Sequence, residues 1–452
     1  MDPSGWIARI VYAPMNTEAA PAEAAPAPPG PVTLGERIEV LDAIRGFALL
    51  GIFIMNVPAF NTSLFQGFGG DPAWPRWWDV GTETVRDVIF SGKFNSMFSM
   101  LFAVGFTIQL ERLQARAPDQ ATQIYVRRLF WLFVFGAIHA CVFWAGDVLH
   151  MYALLGLALL LLRRLPDRVI AALIVLCLLY PTIMGTIAMV RTTPDDASAA
   201  VELTQQAIAA DNAAFGHGNF FDTARRSTES MVTFYTHPQS TGIVRFYVQF
   251  LTTVLIGLLL GRKRFFQNVA SYLPLVRRVQ WWALGIGLIC GIGFMAWRDF
   301  APNPWEPTVG RILAAEGYVV CRVAIMLFYV ATIIRAVCNE QWRQRIAPIT
   351  LAGRMPLTNY LLQTLIAVTL FYHWGFNLWN KVGPALDLVI AVAIFFVIQV
   401  PLSRWWLSRF QVGPMEYLWR VLTYGRSAVR AIGLPGAPDA YRDDHPRASS
   451  IN

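Results

Sequence analysis

Charged residues are scarce in this 452-residue chain: Asp, Glu, Lys and Arg make up 15% of it, whereas an ordinary soluble protein contains about 25%. This shortage excludes a conventional soluble fold, because too few charges remain to cover its surface. Hydrophobic residues make up 55% of the chain. They concentrate in blocks of roughly 17 to 23 residues, the length that a helix needs to cross a bilayer. The sequence therefore predicts a polytopic α-helical membrane protein.

The motifs of soluble enzymes and of metal sites are also missing. The chain has five cysteines and no C-x-x-C pair, so neither a zinc site nor a disulfide framework is predicted. It contains no P-loop, no dinucleotide-binding glycine pattern and no Ser-His-Asp elbow. The net charge of +8 comes from short Arg clusters between apolar blocks rather than from a continuous basic face. We therefore predict no metal and no nucleic-acid partner.

Ten membrane helices are predicted from the apolar blocks, with both termini in the cytoplasm. The connections between the blocks alternate between Arg-rich and neutral or acidic, as the positive-inside rule requires of a chain that starts inside. An all-α bundle in the cytoplasmic (inner) membrane is expected, with the lipid bilayer as its partner. The predicted helices cover residues 40–60, 88–110, 129–146, 148–163, 168–190, 242–260, 279–297, 312–334, 356–374 and 387–403.

Five regions are predicted along the chain. The largest loop contains the Ala-rich stretch AVELTQQAIAADNAAF, which predicts a short helix over the membrane surface. No similarity between the two halves indicates an internal repeat. The regions are a disordered Ala/Pro-rich cytoplasmic tail at 1–36, an N-terminal five-helix membrane half at 37–190, an extracytoplasmic polar loop at 191–241, a C-terminal five-helix membrane half at 242–427 and a disordered cytoplasmic tail at 428–452.

A polar stripe is predicted along the first helix. Asp42 and Arg45 are three residues apart near its cytoplasmic end, so their side chains can pair on one helical face. Asn56 follows Arg45 by eleven residues, about three helical turns, and therefore lies on the same face toward the outside. Two interpretations stay open. The stripe belongs to a functional site, or Asp42 and Arg45 anchor the helix at the headgroups while Asn56 bonds to another helix.

The connection between the third and fourth predicted helices is very short and lies in the stretch FGAIHACVFWAGDVLHMYA. A tight hairpin would bring His139 close to Asp147, with His150 just beyond. A carboxylate that accepts one imidazole N–H fixes the tautomer and raises the basicity of the other nitrogen, as in a general base. The alternatives are a structural histidine and an Asp147 that only caps the fourth helix.

Three further ionisable side chains lie within or beside apolar blocks, where each needs a partner, a cavity or a function. Lys93 lies in SGKFNSMF and either binds substrate or extends its ammonium to the outer interface. Glu316 and Arg322 are six residues apart on the eighth helix, so they point to different sides of it.

Five ordered motifs give the chain a resemblance to a known family. It is similar, over about residues 37–427, to the YeiB-like family of bacterial membrane proteins. The motifs are LDAIRGFALLGIFIMNVPAF, GKFNSMFSMLFAVGF, GAIHACVFWAGDVLHMYA, AGRMPLTNYLLQT and GPMEYLWRVLTYG.

The start of the first motif also resembles that of membrane acyltransferases that acetylate lysosomal heparan glucosaminides. Those enzymes move an acyl group from cytoplasmic acyl-CoA, or a derived carrier, to a hydroxyl or amine on the far side of the membrane. By this resemblance, Asp42, Arg45 and Asn56 correspond in position to residues of the first motif of those enzymes. The sequence departs from these enzymes in one respect: they carry a catalytic His soon after the Asn, and NVPAFNTSLFQGF contains none. If this chain is an acyltransferase, its base comes from elsewhere, and we expect His139.

The resemblance implies an acyltransferase with acyl-CoA as donor. In it, His139 is the base, Asp147 orients His139, and Asn56 stabilises the oxyanion. Its acceptor is a sugar, a lipid headgroup or a small alcohol, and oligomers are compatible with it. The residues expected to bind substrate are Asp42, Arg45, Lys93, Arg127 and Arg354.

An alternative interpretation of the same ionisable residues is that the protein is a proton-coupled transporter or exporter of a small solute. Asp147 or Glu316 would then be the proton-coupling site. The sequence shows no pair of Gly- or Pro-broken helices of the kind that alternating-access sites use, which counts against this alternative.

Overall fold

The computed structural model describes residues 38–66, 74–236, 241–300 and 308–426. Helices joined by turns and short extended segments make up these residues, and none of them forms a strand. The predicted all-α class is confirmed. The disordered tails predicted at 1–36 and 428–452 lie outside the described residues.

Sixteen α-helices are found in the described part of the chain, and two π-helical segments interrupt or join them. Arg86–Phe90 follows the second helix, and Ile394–Gln399 connects the fourteenth helix to the fifteenth. In chain order the α-helices are α1 Glu39–Asn61, α2 Trp77–Val85, α3 Lys93–Arg116, α4 Ala121–Val142, α5 Leu149–Leu162, α6 Asp167–Arg191, α7 Pro194–His217, α8 Phe220–Thr236, α9 Thr241–Arg262, α10 Val269–Phe300, α11 Val309–Val337, α12 Glu340–Gly353, α13 Pro356–Phe371, α14 Pro384–Ala393, α15 Val400–Leu407 and α16 Pro414–Tyr424.

The chain is a multi-pass membrane protein, and an apolar helix is present at each of the ten predicted positions. Eight helical spans among the described residues are long and apolar enough to cross a bilayer. The other two, α5 and α13, have 14 and 16 residues. At 1.5 Å per residue α5 is about 21 Å long, less than the roughly 30 Å hydrocarbon core. The cytoplasmic position of the termini stays a prediction.

Residues 191–236 of the predicted polar loop contain more helix than the sequence indicates. The predicted short helix is the 24-residue α7, which starts with a capping box between Thr193 and Asp196 and has Pro194 in its first turn. The amphipathic α8 follows it and was not predicted. The helices α2, α12 and α16 were also missed, because none of them has an apolar block long enough to indicate a membrane span.

The helix α1 lies at the centre of the bundle and packs against α3, α11, α12, α13 and α14. Its closest approach is to α12. A Cβ atom added to Gly353 would overlap the backbone carbonyl oxygen of Asp42, and one added to Gly46 would overlap that of Ile349. Glycine at both positions therefore lets two helix backbones meet directly.

Replacement of Gly353 by alanine is expected to lower stability by about 1–3 kcal/mol, because the two backbones must separate to admit the methyl group. Gly285→Ala on α10 is the matched control, since no atom lies within 4 Å of the Cβ position there. Thermal unfolding in detergent measures both variants. Equal melting temperatures for Gly353→Ala and wild type would contradict the close approach.

Candidate functional site

A buried carboxylate lies between two imidazole rings where α4 meets α5. Asp147 Oδ1 is 2.9 Å from His139 Nδ1, and Asp147 Oδ2 is 2.7 Å from His150 Nδ1. All three side chains are buried. A carboxylate only accepts hydrogen bonds, so each Nδ1 carries the proton and donates it to Asp147. We call these three residues the His-Asp-His cluster.

The outer nitrogen of each imidazole meets a hydroxyl group. His139 Nε2 is 2.9 Å from Thr364 Oγ1 on α13. His150 Nε2 is 2.7 Å from the Tyr235 hydroxyl on α8, which in turn is 2.7 Å from the Tyr247 hydroxyl on α9. In a neutral ring with a proton on Nδ1, Nε2 accepts from the hydroxyl. His139 therefore holds the Thr364 hydroxyl as a general base holds the group that it deprotonates.

The turn between α4 and α5 builds this geometry from nearby residues. Asp147 Oδ2 also accepts the backbone N–H of His150 at 3.0 Å, so Asp147 caps α5 as well as binding both imidazoles. Asp147 therefore makes both contacts that the sequence suggested, one with His139 and one with the start of α5. Gly136 makes the hairpin tight, since a Cβ atom there would collide with the His150 backbone nitrogen.

The α7–α8 segment packs against this turn. The Thr228 hydroxyl on α8 donates to the backbone carbonyl of Cys141 at 3.0 Å, and Tyr235 bonds to His150 as described. Trp144 in the turn is buried. The α7–α8 segment therefore covers part of the turn, while Phe143, Ala145 and Gly146 stay partly exposed.

A cavity of about 290 Å³ opens on the side where α1 begins, and we call this side the basic end. Its deeper walls are apolar and come from α1, α3, α4 and α5, with Leu49, Phe98, Leu132 and Leu149 among them. Five arginines line it at the basic end, together with Asp42 and Glu416. These arginines are Arg45, Arg112, Arg128, Arg354 and Arg420.

Tyr360 connects the cavity to the His-Asp-His cluster. Its side chain lines the cavity, and its hydroxyl donates to Asp147 Oδ1 at 3.4 Å. Tyr360 and Thr364 are four residues apart on α13 and share a helical face. The position of α13 is fixed by Glu416, which accepts the backbone N–H groups of Leu357 and Thr358 at 2.7 and 3.1 Å.

The residues predicted to bind substrate divide into two groups. Asp42, Arg45 and Arg354 line the cavity, and Arg45 pairs with Asp42 at 2.8 Å, as their spacing predicts. Arg127 is exposed and is not among the lining residues; its neighbour Arg128 lines the cavity instead. The Arg128 guanidinium lies 3.6 Å from the centre of the Trp419 ring.

Lys93 and Asn56 are not among the cavity-lining residues. Lys93 is 0% exposed and donates to the backbone carbonyl of Asp87, so it does not extend to an interface. Asn56 is partly exposed on the half of α1 away from the basic end. Among the described residues, no group of three or more His, Cys, Asp or Glu side chains is placed to hold a metal ion.

The residues of the site that the sequence did not single out include Arg128, Tyr235, Tyr360 and Thr364, as well as Arg112, Arg420 and Glu416 at the basic end. Arg128 precedes His139 by eleven residues, the same interval that places Arg45 and Asn56 on one face. That interval selects Arg128 over Arg127. Tyr360 and Thr364 both lie in the motif AGRMPLTNYLLQT. No comparable signal points to Tyr235.

Comparison with known proteins covers most of the chain. YeiB of Escherichia coli (strain K12) is 30% identical over 413 residues, which are 86% of this chain and 96% of YeiB. The chain belongs to the YeiB-like family. The uncharacterized YxaH of Bacillus subtilis (strain 168) is 29% identical over 411 residues, 87% of this chain and 96% of YxaH. An uncharacterized 39.9 kDa protein encoded in the amylase 3' region of Bacillus acidopullulyticus is 28% identical over 399 residues, 88% of this chain and 96% of that protein.

The family model described as "Protein of unknown function (DUF418)" matches residues 260–426. This part of the YeiB-like chain includes Arg354, Tyr360, Thr364 and Glu416. The His-Asp-His cluster lies before it, within the longer stretch shared with YeiB and YxaH.

Proposed function

We propose that the protein is an inner-membrane acyltransferase that moves an acyl group from cytoplasmic acyl-CoA to a hydroxyl or amine on the other side of the membrane. One observation carries this proposal: a cavity with arginines at one end reaches, at Tyr360, a carboxylate–imidazole pair suited to base catalysis. The basic end would face the cytoplasm, in agreement with the positive-inside rule.

The donor would bind with its phosphates at the basic end. Arginine guanidinium groups form charge-assisted, often bidentate hydrogen bonds to phosphate. Arg45, Arg128 and Arg354 come from three different segments and surround the same opening. The pantetheine arm would extend between the apolar walls, bringing the thioester to Tyr360.

The transfer step would use His139 as the base. The acceptor hydroxyl or amine takes the place of the Thr364 hydroxyl at His139 Nε2, gives its proton to that nitrogen and attacks the thioester carbonyl. The C–S bond then breaks, and the coenzyme A thiolate takes up the proton. The Tyr360 hydroxyl is the nearest cavity-lining donor for the oxyanion. The predicted oxyanion role of Asn56 stays a prediction.

The test uses purified protein, acetyl-CoA with a labelled acetyl group, and an extract of envelope sugars and lipids. Transfer of label to an acceptor, competed by free coenzyme A, is the expected result. If the protein binds no acyl-CoA of any chain length, the acyltransferase proposal fails.

Two adjacent arginines test the donor site directly. Arg128→Gln is expected to weaken acyl-CoA binding by about tenfold to a hundredfold, because hydrogen bonds to a charged group contribute roughly 1.5–3 kcal/mol. Arg127→Gln, one residue away and exposed, is the matched control and should bind like wild type. Isothermal titration with coenzyme A measures both. Equal affinities in the two variants would remove Arg128 from the donor site.

The alternative function, a proton-coupled transporter or exporter, has one structural observation in its favour. The span Trp77–Arg116 is interrupted at Ser91 and Gly92, directly before the buried Lys93. Broken helices with nearby charges are typical of transport sites. In proteoliposomes, solute uptake driven by a proton gradient, without any acyl-CoA binding, would favour this function over the first.

A further inference from the structure

Two cations are buried next to each other where α3 begins, away from the cavity. Lys93 is 0% exposed and Arg322 on α11 is 6% exposed. Gly92, the residue before Lys93, brings them together: its Cβ position lies 3.2 Å from Arg322 Cγ and 3.8 Å from Arg322 Nε. Two like charges in a protein interior repel each other and lose hydration, so the arrangement calls for a negative partner.

Arg322 presents one complete edge of its guanidinium group without a partner. Its Nη1 donates to Gln249 Oε1 at 2.5 Å. Its Nε and Nη2 are buried and have no hydrogen-bond partner among the described residues. The N–H bonds of these two nitrogens point in parallel, and this edge binds the two oxygens of a carboxylate or phosphate side by side.

The start of α3 adds further donors. The first backbone N–H groups of a helix have no acceptor within it. Gly92 precedes Lys93 with a φ of 72° and provides no side-chain cap. This positive φ suits glycine, and the missing Cβ leaves room for the Arg322 side chain. An uncapped helix N-terminus favours an anion through both its N–H groups and its dipole.

Protein carboxylates do not neutralise these cations. Lys93 Nζ bonds to the backbone carbonyl oxygen of Asp87 at 2.8 Å and lies 5.5 Å from the Tyr318 ring centre. Within the described residues, no carboxylate oxygen lies within 4.0 Å of the Lys93 ammonium or the Arg322 guanidinium. The Asp87 carboxylate is the nearby acid, and it forms no ion pair with either.

We propose that Lys93, Arg322 and the N-terminus of α3 form a binding site for a small oxyanion, a carboxylate or a phosphate group. Arg322 Nε and Nη2 hold two of its oxygens, and Lys93 Nζ supplies a second charge. The N–H groups of the first turn of α3 complete the site. The site is separate from the acyl-CoA cavity and does not depend on the proposed transfer reaction.

The experiment measures the melting temperature of purified wild-type protein during titration with acetate or inorganic phosphate, at ionic strength held constant with chloride. We expect a saturable rise with an oxyanion and none with chloride. In Arg322→Gln and Lys93→Gln the apparent affinity should fall by about tenfold to a hundredfold, the effect of losing a charged hydrogen bond. Without oxyanion, Arg322→Gln should be at least as stable as wild type, because an uncompensated buried charge has been removed.

Arg335→Gln is the matched control, because Arg335 is also on α11 and also donates to a glutamine, Gln280, but is exposed. It should respond to the oxyanion like wild type. If Lys93→Gln or Arg322→Gln does not fold, equilibrium dialysis of wild type with labelled acetate still tests the site.

The source of the oxyanion is resolved by reconstituting wild type in nanodiscs with and without phosphatidylglycerol. Stabilisation by acetate or phosphate in both membranes assigns the site to a free solute, and stabilisation by phosphatidylglycerol alone assigns it to a lipid headgroup. The proposal is overturned if neither source stabilises wild type, or if Arg322→Gln responds as strongly as wild type does.

Discussion

Replacement of His139 by glutamine is expected to reduce acyl transfer by about 10²–10⁴-fold, the contribution of a positioned general base. Glutamine can still bond to Asp147 and Thr364, the two partners of the imidazole, so the fold should persist while the base is lost. Single-turnover transfer from labelled acetyl-CoA, with melting temperature measured in parallel, checks the prediction. Retained transfer at wild-type rate would exclude His139 from the mechanism.

His150→Gln is the matched control for this variant. His150 binds the same carboxylate, but its other nitrogen faces Tyr235 on α8 rather than α13. The transfer rate should therefore fall much less in His150→Gln than in His139→Gln. Thr364→Ala adds a further comparison, because the proposed acceptor takes the place of the Thr364 hydroxyl at His139 Nε2 and transfer should persist without that hydroxyl. Retained transfer agrees with direct attack by the acceptor.

Replacement of Asp147 by alanine is expected to lower stability by about 3–5 kcal/mol, the usual cost of removing one partner from a buried charged network. The carboxylate accepts from both imidazoles, from the His150 backbone N–H and from the Tyr360 hydroxyl. Alanine would leave all four groups buried without this acceptor. Thermal unfolding in detergent, or denaturation followed by intrinsic fluorescence, measures the loss.

Asp167→Ala provides the comparison for that prediction. Asp167 pairs with Arg262 at 2.7 Å, and its side chain is 53% exposed. Exposed ion pairs contribute at most about 1 kcal/mol, so this variant should unfold close to the wild-type temperature. If both variants lost the same amount of stability, burial would not make the Asp147 network more stabilising than an exposed ion pair.

Local features of the molecule were predictable because neighbouring residues determine them. The apolar blocks predicted all ten helix positions, and short spacings predicted the pairs Asp42–Arg45 and His139–Asp147. A hairpin of eight residues constrains His139 and Asp147 almost regardless of the remaining fold.

Partners distant in sequence were not predictable in the same way. Thr364 is 225 residues from His139, and Tyr235 is 85 from His150. Their contacts depend on how α8 and α13 pack, and no spacing rule specifies that. The eleven-residue interval between Arg128 and His139, which places both on one face of α4, could have distinguished Arg128 from Arg127. The vacant edge of Arg322 was beyond any sequence pattern, since it requires knowing that Gln249 occupies only Nη1.

In the proposed reaction, the shortness of α5 determines how far the acyl group has to travel. A helix of 14 residues ends before it has crossed the hydrocarbon core, so we expect the turn that carries His139 and Asp147 to lie part-way through the membrane, next to the α7–α8 segment. A donor entering from the basic end and an acceptor descending from the opposite side would meet at this level. Neither substrate would then cross the whole barrier, and the transfer would need no alternating movement of the two halves of the bundle.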